Sequence, residues 1–214
     1  MSERHTIEVP RTARYHVLGA ADVPGAILFL LHGYGQLAAP FLESLSALAT
    51  PGRLLVAPEA LSRFYLRRGT GEIGATWMTS EERSAEIADN VRYLDLVHAR
   101  IAREWGASFP LQVLGFSQGG ATAARWALAG TAPVVRCTLW GCPLPPDLEL
   151  ERWIERARAV AWCFVLGDDD EAIDRAAWEE GLARLRAVGI EPEVLRTPGG
   201  HELDPATVAR LAGG

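Results

Sequence analysis

The 214-residue sequence predicts an α/β fold, in which a mostly parallel sheet carries helices on both of its faces. Two observations lead to this prediction. Short apolar runs bounded by glycine or proline recur along the chain, which is typical of strands that are buried on both faces. Segments with apolar residues at steps of three and four, the period of an amphipathic helix, lie between them. Because no repeat or linker interrupts this alternation, we expect one domain over residues 1–214.

The predicted strands run from an edge strand near the start of the chain to a last strand close to its end. We expect the edge strand at Arg14–Leu18 and the last strand at Glu191–Thr197. The buried strands between them are predicted at five apolar runs, Ala26–Leu31, Leu54–Ala57, Leu111–Leu114, Val134–Trp140 and Val160–Leu166. Parallel strands need crossover connections, and the helical segments between these runs can provide them.

The longest predicted helix is Ser84–Arg103, where apolar residues recur on one face and charged residues occupy the other. Three shorter helices are predicted, at Leu42–Leu48, Ala121–Ala129 and Trp178–Val188. Gly189 ends the last of these, because a helix C-terminus favours a residue that tolerates positive φ. We interpret Pro58–Ser80 as a loop, and no insertion is long enough to form a large lid domain.

The charge of the chain argues against nucleic acid as a partner. The formal net charge is −6, whereas phosphate binding needs a basic face. The amino-terminal residues show no apolar secretion signal, and the apolar run Ala26–Leu31 is far too short to span a bilayer. We therefore expect a cytoplasmic protein without stable membrane insertion. Cys137, Cys142 and Cys163 lack the spacing of metal ligands, so we expect reduced, buried thiols and no metal site.

The segment Gly115-Phe116-Ser117-Gln118-Gly119 matches the pattern G-x-S-x-G at the point where a predicted strand ends and a helix begins. This is the setting that the nucleophile elbow of α/β hydrolases requires, since the sharp turn lifts the serine Oγ off the sheet. The alternative is a glycine-rich turn with an incidental serine. The pattern and its setting together favour Ser117 as a nucleophile.

A nucleophilic serine needs a base and an acid, which in this fold follow it in the order Ser, Asp or Glu, His. His201 is the only histidine after Ser117 and lies in a loop after the last predicted strand. The acid should follow the preceding strand, where the chain carries Asp168, Asp169, Asp170 and Glu171. Some of these carboxylates are expected simply to occupy a helix N-terminus. The residues alone leave the acid open.

A second predicted element of the site is an oxyanion hole, which needs a backbone N–H from the loop after an early strand. The segment Leu31-His32-Gly33-Tyr34-Gly35 follows the run Ala26–Leu31 and can turn into the site without Cβ clashes. We assign the two donors to the amides of Tyr34 and Gln118. His32 is in the wrong chain order for the base, so a structural role is expected. A plain glycine-rich turn is the alternative.

These motifs, taken together, resemble the phospholipase/carboxylesterase family of α/β hydrolases, which includes acyl-protein thioesterases and small esterases. The resemblance covers nearly the whole chain and is carried by LHGYG at the start, GFSQGG in the middle, and Gly167-x-x-Asp170 and Gly199-Gly200-His201 near the end. It implies an α/β-hydrolase fold and a triad of Ser117, Asp170 and His201. The chain departs from the family pattern at Leu166 and at the residues after Asp170.

The resemblance also implies a function and walls for a substrate pocket. It indicates a serine carboxylesterase that needs no cofactor and hydrolyses small-molecule esters. The lack of a large lid insertion favours esters of short to medium chain length. Thioesters, including S-acylated proteins, and lysophospholipids are alternative substrates, and a non-catalytic binding protein is the alternative of another class. Trp77, Met78 and Trp140 are candidate pocket residues. For Trp140, aromatic core packing is an equal alternative.

Overall fold

A seven-stranded sheet forms the centre of the fold. The computed structural model describes residues 2–19, 24–67, 69–105 and 109–212. Its strands are β1 (Tyr15–Leu18), β2 (Ala26–Leu31), β3 (Arg53–Pro58), β4 (Ser62–Tyr65), β5 (Ile73–Thr76), β6 (Leu111–Phe116), β7 (Val134–Trp140), β8 (Ala161–Gly167) and β9 (Glu193–Thr197). The main sheet has the order β1-β3-β2-β6-β7-β8-β9, and β4 and β5 form a separate pair.

The strands of the main sheet are parallel except for β1, which runs antiparallel to β3 with Tyr15 opposite Pro58. The mostly parallel sheet and its edge strand confirm the predicted arrangement. Side chains along each central strand alternate between two apolar layers. In β2, for example, Phe29 faces one layer and Leu30 the other, and both are fully buried.

Six helices cover the two faces in the described part of the chain: α1 (Ala38–Ser44), α2 (Arg83–Trp105), α3 (Gln118–Ala129), α4 (Ile154–Ala159), α5 (Arg175–Ala187) and α6 (Pro205–Ala212). Helices α2 to α5 pack in one apolar layer, whereas α1 and α6 pack in the other. The helix C-terminus expected at Gly189 is confirmed, because its φ is +79°. Helix α4 was not predicted.

The helix predicted at Leu42–Leu48 is placed wrongly. Helix α1 begins at Ala38 and ends at Ser44, and a single 3₁₀ turn follows at Ser46–Leu48. Pro40 lies in the first turn of α1, where the N–H that proline lacks would have no helical partner in any case. The proline therefore does not mark the boundary of the helix.

The interpretation of Pro58–Ser80 as a loop is also wrong, because β4 and β5 form an antiparallel hairpin there, with Ser62 opposite Thr76. The hairpin packs on the loop after β2. Gly35 N–H donates to the Ala75 carbonyl at 2.9 Å, and Ala75 N–H donates to the Gln36 carbonyl at 3.2 Å. The hairpin therefore braces the loop that carries Tyr34.

Within residues 2–19, 24–67, 69–105 and 109–212, no helix combines the length and the apolar character needed to cross a membrane. The cysteines Cys137, Cys142 and Cys163 are buried and free, as expected. Burial raises the pKa of Cys142 to about 12, so its thiol stays protonated at neutral pH.

Candidate active site

Ser117 lies between the end of β6 and the start of α3, as the G-x-S-x-G pattern predicted. Its backbone is strained, with φ of +51° and ψ of −121°. Such a conformation costs about 1–3 kcal/mol and persists only where the surroundings hold it. Here Ser117 N–H donates to the Trp140 carbonyl at 2.8 Å, and the Ser117 carbonyl accepts from Gly120 N–H at 2.9 Å. The strain presents the serine side chain at the carboxyl edge of the sheet.

The two glycines of the motif are required by close packing around the turn. A Cβ at Gly115 would collide with the carbonyl of Gly119, and a Cβ at Gly119 would collide with the carbonyl of Leu31. The start of α3 thus lies directly against the ends of β6 and β2. Any side chain at either glycine would move Ser117.

His201 lies in the loop after β9 and contacts both other predicted members of the triad. Its Nε2 is 2.8 Å from Ser117 Oγ, and its Nδ1 is 2.8 Å from Asp170 Oδ2. A carboxylate accepts only, so Nδ1 carries the proton and Nε2 is free to accept from the Ser117 hydroxyl. The Phe116 ring packs against the imidazole with 4.9 Å between ring centroids. The ring is therefore held between a carboxylate and an aromatic side chain.

Asp170 is the only one of the three consecutive aspartates that is buried, with 3% of its surface exposed. Its Oδ1 accepts from Ala172 N–H at 3.0 Å, which leaves Oδ2 directed at His201. Asp168 is exposed and pairs with Arg196 at 2.7 Å, and Asp169 is exposed. The backbone after β8 thus brings one carboxylate to the histidine.

The loop after β2 lies beside the serine. A Cβ built on Gly33 would be 3.4 Å from Ser117 Cβ. Tyr34 is the next residue of the loop after this close approach. The Gly33 N–H donates to Gln36 Oε1 at 2.7 Å and so closes the loop. Of the hydrogen bonds that the described residues form in turns and loops, none uses the N–H of Tyr34 or of Gln118. These two amides carry the proposed oxyanion hole.

His32 has the structural role expected from its chain order. The side chain is fully buried, its Nδ1–H donates to the Gly33 carbonyl at 2.8 Å, and its Nε2 accepts from Ala60 N–H at 3.1 Å. Burial lowers the pKa of His32, because the charged ring would lose its hydration. The neutral ring is therefore the form that both hydrogen bonds require.

The three candidate pocket residues are buried. Trp77 is 1% exposed and its indole N–H donates to the His32 carbonyl at 2.8 Å. Trp140 is also 1% exposed and donates to the Glu202 carbonyl at 3.0 Å. Met78 is 9% exposed. The two indoles leave almost no surface for a substrate and instead hold the loops that carry Tyr34 and His201.

The side chain of Gln118 is a feature that sequence reasoning missed. Its Oε1 accepts from Trp77 N–H at 2.9 Å, and its Nε2–H donates to the Met78 carbonyl at 2.7 Å. The sequence predicts only a backbone role for Gln118. The contact joins the elbow to the end of β5, and since the hairpin was not predicted, no signal in the sequence pointed to it.

Among the residues that the structure describes, no group of three or more His, Cys, Asp or Glu side chains could hold a metal ion. The candidate site consists of Ser117, His201 and Asp170 with the neighbouring amides of Tyr34 and Gln118.

Comparison with known proteins assigns the chain to a family. The family model described as Phospholipase/Carboxylesterase matches residues 14–212. No curated protein matches the chain. Among solved structures, esterase PE8 gives a TM-score of 0.72 at 21% identity, with 95% of this chain and 97% of that chain covered. Zea mays acyl-protein thioesterase 2 gives 0.70 at 21% identity, with 94% and 97% covered.

The carboxylesterase of Bacillus cereus gives a TM-score of 0.71 at 16% identity, with 94% of this chain and 92% of that chain covered. At these identities the likeness to solved structures shows a shared fold. The family model covers nearly the whole chain and includes every residue of the candidate site. The chain therefore belongs to the phospholipase/carboxylesterase family of α/β hydrolases.

Proposed function

We propose that the protein is a serine hydrolase that cleaves carboxylic esters through a covalent acyl-enzyme. The observation that carries the proposal is the pair of 2.8 Å contacts that link Ser117 Oγ to His201 Nε2 and His201 Nδ1 to Asp170. The strained backbone of Ser117 supports it, because strain of this kind concentrates at functional sites. The family membership of the chain agrees with an ester substrate.

In the proposed reaction, Ser117 Oγ attacks the acyl carbon while His201 Nε2 takes the hydroxyl proton. His201 then returns this proton to the leaving alcohol as the C–O bond of the ester breaks, which leaves the acyl group on Ser117. Water then attacks the acyl carbon and gives a proton to His201 Nε2; the bond between the acyl carbon and Ser117 Oγ breaks, His201 returns the proton to Ser117 Oγ, and the carboxylic acid leaves. Asp170 keeps the Nδ1 proton in place and stabilises the imidazolium in both steps.

The tetrahedral intermediate of each step carries a negative oxygen, which needs donors that already point at it. The Tyr34 and Gln118 amides are the proposed donors, and they lie on the two loops that flank Ser117. Gln118 is the first residue of α3, so the positive end of the helix dipole adds to its effect. Removing one such donor typically costs about 10²–10³ in kcat.

Labelling of Ser117 tests the mechanism directly. A fluorophosphonate should add one phosphonyl group to the wild-type protein, seen as a mass shift, and none to Ser117→Ala. The same variant should keep its fold by circular dichroism and lose at least about 10⁴-fold in kcat/KM on a p-nitrophenyl ester. Near-wild-type turnover by Ser117→Ala, or labelling elsewhere, would rule the mechanism out.

The same triad can cleave a thioester, so acyl-protein thioesters and lysophospholipids remain the alternative substrates. We expect short- to medium-chain esters to be preferred, because the described residues form no large lid domain over the site. A series of p-nitrophenyl esters of increasing chain length, with an acyl thioester alongside, should give its highest kcat/KM at the short to medium esters. If kcat/KM is highest for the thioester or for long-chain esters, one of the alternative substrates would replace short- to medium-chain esters as the preferred class.

A non-catalytic binding protein on this fold would be expected to lack a member of the triad, and the chain keeps all of them. We expect a small-molecule ester as the partner of the protein. We expect neither a nucleic acid partner nor a cofactor. The cytoplasmic location stays a prediction. Failure of the wild-type protein both to label and to turn over any ester would favour the binding protein.

A further inference from the structure

A set of buried hydrogen bonds joins the two loops that carry the proposed oxyanion donors. One loop, residues 32–36, follows β2 and carries Tyr34, and the other is the elbow with Gln118. The segment Thr76–Met78, where the hairpin ends, contacts both loops. Trp77 lies at the centre of these contacts.

Every polar group of Trp77 has a partner. The indole N–H donates to the His32 carbonyl at 2.8 Å, and the main-chain N–H donates to Gln118 Oε1 at 2.9 Å. The main-chain carbonyl accepts from the Asn90 side chain of α2. With 1% of its surface exposed, the residue is fixed by packing as well as by hydrogen bonds. These contacts restrict the Trp77 side chain to a single conformation.

On the side of the β2 loop, Trp77 is connected through His32 to the peptide that carries the Tyr34 N–H. The indole holds the His32 carbonyl and packs against the imidazole with 5.2 Å between ring centroids. The imidazole in turn donates to the Gly33 carbonyl. The Gly33–Tyr34 peptide is trans, so the Tyr34 N–H points opposite to the Gly33 carbonyl that the imidazole holds.

On the side of the elbow, the side-chain amide of Gln118 is held from both ends. Its oxygen accepts from Trp77 N–H, and its NH₂ group donates to the Met78 carbonyl at 2.7 Å. Gln118 is the first residue of α3, so these two contacts tie the start of the helix to the segment Trp77–Met78.

We propose that Trp77 is a positioning residue for the oxyanion hole, which sets the separation of the Tyr34 and Gln118 amides through His32 and the Gln118 side chain. This inference rests on the proposed function of the site. It replaces the pocket wall expected for Trp77 with a different role. Since the donors act on charge that develops only in the transition state, Trp77 contributes to kcat and not to substrate binding.

The test is Trp77→Phe, which removes the indole N–H and keeps an aromatic ring. Trp126→Phe is the matched control, because Trp126 is fully buried and its indole N–H donates to Asp95 at 2.9 Å, away from the site. We expect Trp77→Phe to lower kcat about 10- to 100-fold with KM within about twofold of wild type. Trp126→Phe should lose comparable thermal stability and keep its kcat.

An acyl trifluoromethyl ketone provides a readout that a general loss of packing would not change. It adds to Ser117 as a tetrahedral adduct whose oxygen occupies the oxyanion hole. Its inhibition constant should rise for Trp77→Phe by the same factor by which kcat/KM falls, and it should stay unchanged for Trp126→Phe. Equal losses in the two variants, or an unchanged inhibition constant for Trp77→Phe, would overturn the inference.

Gln118→Met keeps the test decisive if Trp77→Phe does not fold. The variant keeps the backbone amide and nearly the volume of the side chain, adds no charge beside the oxyanion, and removes both the acceptor for Trp77 N–H and the donor to the Met78 carbonyl. We expect the same loss in kcat with little change in KM, and wild-type kcat would count against the proposal. Fluorophosphonate labelling of the wild type separates the positioning role of Trp77 from the proposed function. If the wild type is labelled but the variants keep wild-type kcat, the positioning role is wrong. If the wild type is not labelled, the proposed function is wrong.

Discussion

At the end of β8 the chain carries three aspartates in a row, and their surroundings distinguish them. Asp170 is buried and lies 2.8 Å from His201, whereas Asp168 is exposed and pairs with Arg196. A buried carboxylate can fix a tautomer and stabilise an imidazolium, since no water competes for it. An exposed ion pair is screened and contributes little.

Asparagine at each of these positions tests the assignment of the acid. Asp170→Asn should lower kcat by about 10³–10⁴-fold, because the amide would favour the wrong tautomer of His201. Asp168→Asn and Asp169→Asn remove the same charge on the protein surface and should stay within about twofold of wild type. Steady-state kinetics on one p-nitrophenyl ester is sufficient. Similar small losses at all three positions would remove Asp170 from the triad.

Among the secondary-structure elements, the hairpin depends on a buried ion pair at its base. The Glu59 side chain lies after β3 and is 1% exposed; it accepts from Arg14 at 2.6 Å and 3.0 Å and from Arg63 of β4 at 3.2 Å. Burial opposes the ionisation of Glu59, but the hydrogen bonds from the two arginines outweigh it and lower the pKa of its carboxyl. One carboxylate therefore ties the start of β1 to the hairpin.

Glu59→Gln should destabilise the protein at pH 7 by about 1–3 kcal/mol, because charge-assisted hydrogen bonds become neutral ones. The pKa of Glu59 is lower in the folded than in the unfolded state, so its contribution is complete above the ordinary glutamate value and is lost as the pH falls through the folded pKa. Urea unfolding of both proteins at pH 7 and pH 3.5 measures the difference. A gap of equal size at both pH values would contradict the ion pair.

For the whole molecule, the sequence predicted the parts whose burial is uniform. The central strands are continuous apolar runs, and α2 has a clear helical period, so their types followed from pattern alone. The strands β4 and β5 include polar residues and a glycine, and β4 alternates between half-buried and exposed side chains. Their order comes from packing on the β2 loop, which no local pattern records. That residues 1–214 form one domain stays a prediction.

The sequence also predicted some parts of the candidate site and missed others. Ser117 and His201 followed from their chemistry and their order in the chain, and the structure brings them within 2.8 Å of each other. Asp170 required a motif, because three identical residues differ only in how the backbone turns after β8. The contact between Gln118 and Trp77 joins segments 41 residues apart, and it depends on the hairpin that the sequence did not reveal.

The strand order has a consequence for how activity would appear during folding. Ser117, Asp170 and His201 follow β6, β8 and β9, and β9 is an edge strand that pairs with β8 alone. The serine and the histidine are 84 residues apart, so their contact forms only when distant segments have met. Recovery of ester turnover after dilution from urea would therefore lag behind the return of helical signal and would mark the docking of the outermost strand.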